Sequence, residues 1–406
     1  MEQFQFSIPQ NILVGRGTAA RVPEEVEKLG GTNALIISGP TLERMGIVEK
    51  MEMLLRERGI KADHFTRVEA NPSVETVEKA AEKFRESGAD ILIALGGGSP
   101  MDVAKAVGIV AKYGGSITDY EGAHLVPGPI IPLIALPTTA GTGSEATAFT
   151  VITDHSRNYK LTVFSYEILP ACAILDSELI TTAPASVAAA CGMDAFIHAE
   201  EAYVSRAASP FSDAMAEKAM ELIGTYIRRY VANRQDMEAA EGMLTGSLFA
   251  GIAFSFARLG NVHAMSHPIS AFYDVPHGVA NAVLLPVIVE YNALADHGKY
   301  ERIYRYISRG QGMRRCAGEK PNDVYASGFS PEKLADAIRQ LCAELGIPAD
   351  LMTAIRQYDR TGAIRREDVE RNIPSMAADA MKSGNIAVNP RASRKSDIEA
   401  LYRKAL

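Results

Sequence analysis

The stretch ILIALGGGSPMDVAKAVGIVAKYG, residues 91–114, decides the fold of this chain. Ile91 to Leu95 form a near-continuous apolar run, the pattern of a strand buried on both faces. Gly96, Gly97 and Gly98 then turn the chain. Pro100 suits the first position of a helix, because its missing N–H would have no helical partner there. The segment therefore reads as strand, glycine turn and helix, with the helix beginning at Pro100.

The same rhythm recurs on either side. ALIISG (34–39) reads as a buried strand, and TLERMGIVEKMEMLLRERG (41–59) as a helix ending at Gly59. IPLIALPTT (131–139) is a third buried strand, and AFTVITDHSRNYKLTVFS (148–165) predicts a hairpin turning at DHSRN. Buried strands alternating with helices indicate an α/β fold of Rossmann-like type, a parallel sheet with helices on both faces. From about residue 180 the texture changes. PASVAAACGMDAFIHAEEAYVS, FSDAMAEKAMELIGTYIRRYV and MEAAEGMLTGSLFAGIAFSFA are rich in Ala and Met with a helical apolar period. Two domains are expected: an α/β domain over 1–180 and an all-helical domain over 181–406. The boundary falls near DSELITTAPAS (176–186).

Composition excludes several classes of function. The 406 residues are 47% hydrophobic and 22% charged, with a net charge of −7, so no basic field exists to hold nucleic acid or anionic lipid. MEQFQFSIPQNILVG lacks the charged and apolar regions of a signal peptide. No apolar run approaches the ~20 residues a membrane span needs, and a cytoplasmic protein is expected. Cys172, Cys191, Cys316 and Cys342 are too scattered for a zinc ribbon or a disulfide framework. Cys191, three residues before Asp194, reads as a buried, inert thiol. SRGQGMRRCAG (308–318) reads as a solvated surface loop.

The GGGS turn, Gly96 to Ser99, has a phosphate-binding character. Glycines let backbone amides approach an anion closely, and a helix N-terminus adds partial positive charge. A tight turn that merely needs glycine would look the same. PTTAGTGSE (137–145) supplies a second turn after a buried strand, where Thr138, Thr139 and Thr142 can line a nucleotide. Two such turns at strand C-terminal ends fit the ligand edge of an open α/β sheet. The first strand ends in IISGPT, with Gly39 where an NAD site often carries a carboxylate. A 2′-phosphate would not be repelled there, which favours NADP slightly over NAD.

The second half carries metal-ligand chemistry. NVHAMSHPISAFYDVPHG (261–278) concentrates three of the eight histidines, His263, His267 and His277. Asp194 and His198 are spaced to share one helix face. Pro268 is expected to bend or end the helix carrying His263, and His277 to come from a turn or helix start. One carboxylate with three imidazoles suits a divalent first-row ion, Fe²⁺ or Zn²⁺. Phe254 reads as core packing, with lining of a pocket as the alternative.

These segments carry a resemblance. GGGSPMDVAKAV, PTTAGTGSE, GMDAFIHAEEAYVS and HAMSHPISAFYDVPHGVANAVLLP look like the signature segments of the iron-containing (group III) alcohol dehydrogenases, and the likeness runs down to NPR (389–391). It implies an architecture like that of dehydroquinate synthase. It implies that Asp194, His198, His263 and His277 bind the metal. It places His267 near nicotinamide and substrate, as a proton relay or a shaping residue. The GGGS turn would carry the pyrophosphate, with Thr138 and Thr139 along the cofactor. The position matching Gly39 is often Asp in NAD-preferring members.

The activity so implied is reversible oxidation of a primary alcohol or diol to an aldehyde, with the substrate oxygen on Fe²⁺ and hydride passing to NAD or NADP. A homodimer or larger homo-oligomer is implied as well. A zinc-dependent polyol dehydrogenase is a close rival. A lyase or transhydrogenase using the same nicotinamide site is another, although GMDAFIHAEEAYVS has no Lys or Arg for a phosphorylated substrate. A non-catalytic protein with a relict site is disfavoured by the complete ligand set.

Overall fold

The computed structural model describes residues 11–157, 159–308 and 329–406, together with Phe6 and Ile8. It divides into two compact units, one within Gln5–Thr182 and one within Ala183–Leu406. The expected loop at 308–318 lies, after Ser308, outside the described residues, as does Cys316.

The first unit runs β1 (Asn11–Val14), α1 (Val22–Lys28), β2 (Asn33–Ile37), α2 (Pro40–Arg44), α3 (Ile47–Glu57), β3 (Lys61–Phe65), α4 (Val74–Ser87), β4 (Ile91–Gly96) and α5 (Gly98–Tyr113). It continues through β5 (Gly122–Ala123), β6 (Leu133–Pro137), β7 (Phe149–Asp154), β8 (Tyr159–Phe164), β9 (Cys172–Leu175) and α6 (Ser177–Ile180). Six parallel strands form the main sheet in the order β1-β9-β6-β4-β2-β3. Its helices cover both faces. Leu35, Ile37, Leu92 and Ala94 pack with α4 and α5, whereas Ala34, Ile36, Ile91 and Ile93 pack with α1 and α3. This is why β4 is buried throughout and reads as a continuous apolar run.

The chain moves outward from β2 to β3, then crosses back to β4 and onward to β6 and β9. The direction of winding thus reverses between β2 and β4, and ligands of open α/β sheets sit outside the strand C-termini at such a point. The 148–165 hairpin is present as the antiparallel pair β7 and β8. Two local expectations differ. The helix over 41–59 is two helices, starting at Pro40 and interrupted at Gly46, whose φ of 71° leaves the helical region. The helix after β4 starts at Gly98 rather than Pro100, with Gly97 as N-cap, so the last of the three glycines opens its first turn.

The second unit contains α7 (Ala185–Val204), α8 (Pro210–Ala232), α9 (Met237–Ala257), α10 (Asn261–Tyr273), α11 (His277–Asn292), α12 (Lys299–Ser308), α13 (Pro331–Glu344), α14 (Leu351–Tyr358), α15 (Arg366–Ala380) and α16 (Lys395–Ala405), with no strand among its described residues. Pro268 lies inside α10, which continues to Tyr273. The proline costs one backbone hydrogen bond without ending the helix, since surrounding packing holds both turns. Contrary to the sequence reading, Met237–Ala257 and His277–Ala295 have the length and apolarity of a membrane span. Each is mostly buried by neighbouring helices, which accounts equally for an all-apolar surface. Cys172 and Cys342 are buried free thiols, whereas Cys191 is only half-buried.

Candidate metal centre and nucleotide turns

Three helices of the second unit bring the expected ligands together. Asp194 and His198 lie one turn apart on α7, His263 is in the first turn of α10, and His277 is the first residue of α11. Gly278 explains how α11 comes so near α7. A Cβ there would stand 2.2 Å from the Ala190 carbonyl oxygen, so any side chain would force the helices apart.

Ligand-capable atoms of Asp194, His263 and His277 all lie within 4.8 Å of one another. Asp194 Oδ1 is 3.5 Å from His263 Nε2, 3.8 Å from His277 Nε2 and 3.9 Å from His198 Nε2. His198 thus lies beside the same carboxylate oxygen, its ring stacked on that of His263 with centroids 4.6 Å apart. Asp194, His198 and His263 are buried, whereas the His277 side chain is 32% exposed. His267 also lies on this open side, its ring stacked on His277 with centroids 5.1 Å apart. Phe254 stacks on His198 at 4.4 Å, packing behind a ligand.

The electrostatics suit a cation. Burial alone would raise the Asp194 carboxyl, but His198, His263 and His277 hold it well below the usual carboxylate range. Burial alone would lower the His263 imidazole, but Asp194 and Glu201 raise it to about 9. Buried negative charge thus draws positive charge into the cluster, whether a proton or a metal ion. A carboxylate and two imidazoles within 4.8 Å of one another, with His198 Nε2 3.9 Å from the same carboxylate oxygen, form a donor set for a divalent first-row metal.

Two participants escape the sequence reading. Glu201 accepts hydrogen bonds from His263 Nδ1 and the Val262 N–H, both at 2.6 Å. The spacing 194, 198, 201 puts it on the ligand face of α7, a signal that was available. Asn281, four residues after His277, places its Nδ2 2.7 Å from Asp194 Oδ1 and 3.1 Å from Nε2 of both His263 and His277.

In the first unit, the two small-residue turns pack against each other at the strand C-termini. Thr138 N–H donates to the Gly96 carbonyl at 3.0 Å. A Cβ on Gly97 would lie 3.1 Å from Thr139 Oγ1, and one on Gly98 would lie 2.9 Å from Thr142 Cγ2. No side chain caps α5, which leaves the amides of Gly98 and Ser99 available to an anion. Gly39, at the end of β2, flanks the same reversal point. Its φ of −103° is open to any residue, so backbone geometry does not require glycine there.

Lys105 also went unrecognised in the sequence. It is fully buried, and its Nζ donates to Ser144 Oγ, Thr147 Oγ1 and the carbonyls of Thr147 and Phe149, all at 2.9–3.0 Å. It thereby ties the segment after the second turn to α5. Burial lowers it to about 8 despite Asp102 and Glu145.

The sequence model described as iron-containing alcohol dehydrogenase matches residues 9–177, and that described as Fe-containing alcohol dehydrogenase family, C-terminal, matches residues 188–406. The chain is 37% identical over 404 residues to the 1,3-propanediol dehydrogenase of Citrobacter freundii, covering 99% of this chain and 98% of that one. It is 34% identical over 401 residues to the NAD-dependent methanol dehydrogenase of Bacillus methanolicus, covering 99% of both. Among solved structures, a 1,3-propanediol oxidoreductase superposes with a TM-score of 0.89 at 37% identity over the whole of both chains.

Proposed function

We propose that this chain, which belongs to the iron-containing alcohol dehydrogenase family, catalyses reversible hydride transfer between a primary alcohol or diol and a nicotinamide coenzyme. The observation that carries this reading is the convergence of Asp194, His263 and His277 within 4.8 Å, with His198 on the same carboxylate. These four residues would hold the ion, and Fe²⁺ is the family's metal. When bound, such an ion supplies Lewis acidity, lowering the pKa of an alcohol or polarising a carbonyl.

The chain's own residues would do the rest. The half-exposed flank at His277 and His267 admits the substrate, while buried Asp194, His198 and His263 keep water from the other side. His267, stacked on His277, would hold or pass the proton that leaves the alcohol hydroxyl. The Gly96–Ser99 turn would carry the coenzyme pyrophosphate at the N-terminus of α5, with Thr138, Thr139 and Thr142 beside it. Gly39 favours NADP over NAD, because no carboxylate stands there to repel a 2′-phosphate. The outer edge of β1, unpaired among the described residues, suits association of two copies.

The test is anaerobic reconstitution of chelated protein with Fe²⁺ or Zn²⁺, followed at 340 nm with butanol or 1,2-propanediol and each coenzyme. Activity restored by Fe²⁺ and absent in His263→Ala is the expected result. Activity indifferent to metal removal would refute the assignment.

A further inference from the structure

Glu201 is buried to 3% exposure beside the ligand cluster, and its two oxygens are used differently. Oε1 accepts the Val262 N–H, one of the orphan donors in the first turn of α10. Oε2 accepts from His263 Nδ1. We infer that Glu201 is a positioning residue for the metal centre, locking the His263 ring so that its Nε2 lone pair points at the site. The inference rests on the metal-binding reading proposed above and adds a residue to it.

A carboxylate has no hydrogen to offer, so the proton of this contact sits on His263 Nδ1. In the neutral ring that a metal ligand must be, Nε2 is left with its lone pair, on the side of the ring that faces Asp194 Oδ1 at 3.5 Å. The ring cannot swivel without breaking a buried hydrogen bond to a charged group. The same carboxylate fixes the backbone one residue earlier, so ring and helix terminus are set together. Asp194, His198 and Glu201 all project from one face of α7. A single rigid helix thus sets both the ligand atoms it supplies and the orientation of a ligand supplied by α10.

The discriminating substitution is Glu201→Gln. Gln keeps the shape and can still accept from Val262, but it turns an N–H toward His263 Nδ1. That contact is relieved only if the His263 proton moves to Nε2, where it blocks coordination. Titration of metal-free full-length protein with Co²⁺, read by its visible d–d absorption and by chelator competition, should show binding at least tenfold weaker in Glu201→Gln. Far-UV circular dichroism and binding of the reduced coenzyme, read by its fluorescence, should match wild type. Independently of how that variant folds, Zn²⁺-loaded wild type labelled with ¹⁵N-histidine should show an Nδ1–H resonance for His263, assigned by its loss in His263→Gln. Unchanged cobalt affinity in folded Glu201→Gln, or no Nδ1–H resonance in the zinc form, overturns the inference. Wild type that ignores Co²⁺, or binds it equally after Asp194→Ala, overturns the metal reading itself and this inference with it. Loss of cobalt in Asp194→Ala with retention in Glu201→Gln removes only the role of Glu201.

Discussion

Asn281 donates its side-chain amide to Asp194 Oδ1 at 2.7 Å, from a position one helical turn past His277. The same nitrogen is 3.1 Å from Nε2 of both His263 and His277, and the amide oxygen is buried with no hydrogen-bond partner among the described residues. A buried carbonyl without a partner is costly, and the hydrogen bond from the amide nitrogen to Asp194 is set against that cost. Asn281→Leu keeps the branching at Cγ and removes the donor. It should weaken metal retention by about tenfold or more, measured as metal per chain after dialysis against a graded chelator. Wild-type retention would show that Asp194 is held without Asn281.

Coenzyme choice is testable at one residue. A Cβ on Gly39 would meet only the Val68 carbonyl oxygen at 3.6 Å, an ordinary contact. Gly39→Asp should therefore fold normally while adding negative charge at the end of β2. The ratio of kcat/KM for NADP to that for NAD should fall by about tenfold or more, or ~1.4 kcal/mol. An unchanged ratio would place coenzyme selection elsewhere.

The β4–α5 segment was legible because burial on both faces demands uninterrupted apolar residues, and few other contexts tolerate Ile91 to Leu95 followed by glycines. Asp194 and His198 were legible because helical spacing alone puts them on one face. The missed features depend on burial, which one sequence does not encode. Glu201 reads as one of many helical acids until it is seen at 3% exposure against His263. Asn281 neither titrates nor stands out as a ligand type, and Lys105 looks like a surface lysine on α5. Of the two outcomes expected at Pro268, a bend or an end of the helix, the end does not occur, because tertiary packing carries α10 through it.

Glu145 makes the first unit sensitive to pH. It is buried at 1% exposure, Oε1 has no hydrogen-bond partner among the described residues, and burial pushes its carboxyl up from 4.5 to about 7. Between these values the folded protein binds a proton that the unfolded chain has released, so stability falls as pH rises. The contribution is fully present below pH 4.5 and lost through pH 7, with a limit of about 3 kcal/mol. Glu145→Gln cannot ionise. Its melting temperature relative to wild type should rise from pH 5 to pH 8; a constant difference would mean that Glu145 stays charged or is relieved by Lys105.

The fit between the two nucleotide turns can be tested by a compensating pair. A Cβ on Gly98 would lie 2.9 Å from Thr142 Cγ2, but 3.5 Å from Thr142 Cβ and Oγ1. The clash in Gly98→Ala is therefore with one methyl group, and relief requires the turns to separate. Separation would move the Gly98 and Ser99 amides away from the phosphate, raising KM for the coenzyme by about tenfold or more. Thr142→Ser removes that methyl and keeps the hydroxyl. Its own effect on KM should be small, and in the double variant most of the lost affinity should return. Recovery would be an interaction between contacting sites rather than a sum of independent losses. If the double variant is as impaired as Gly98→Ala alone, the glycine is needed for the anion's own approach and not for the packing of the two turns.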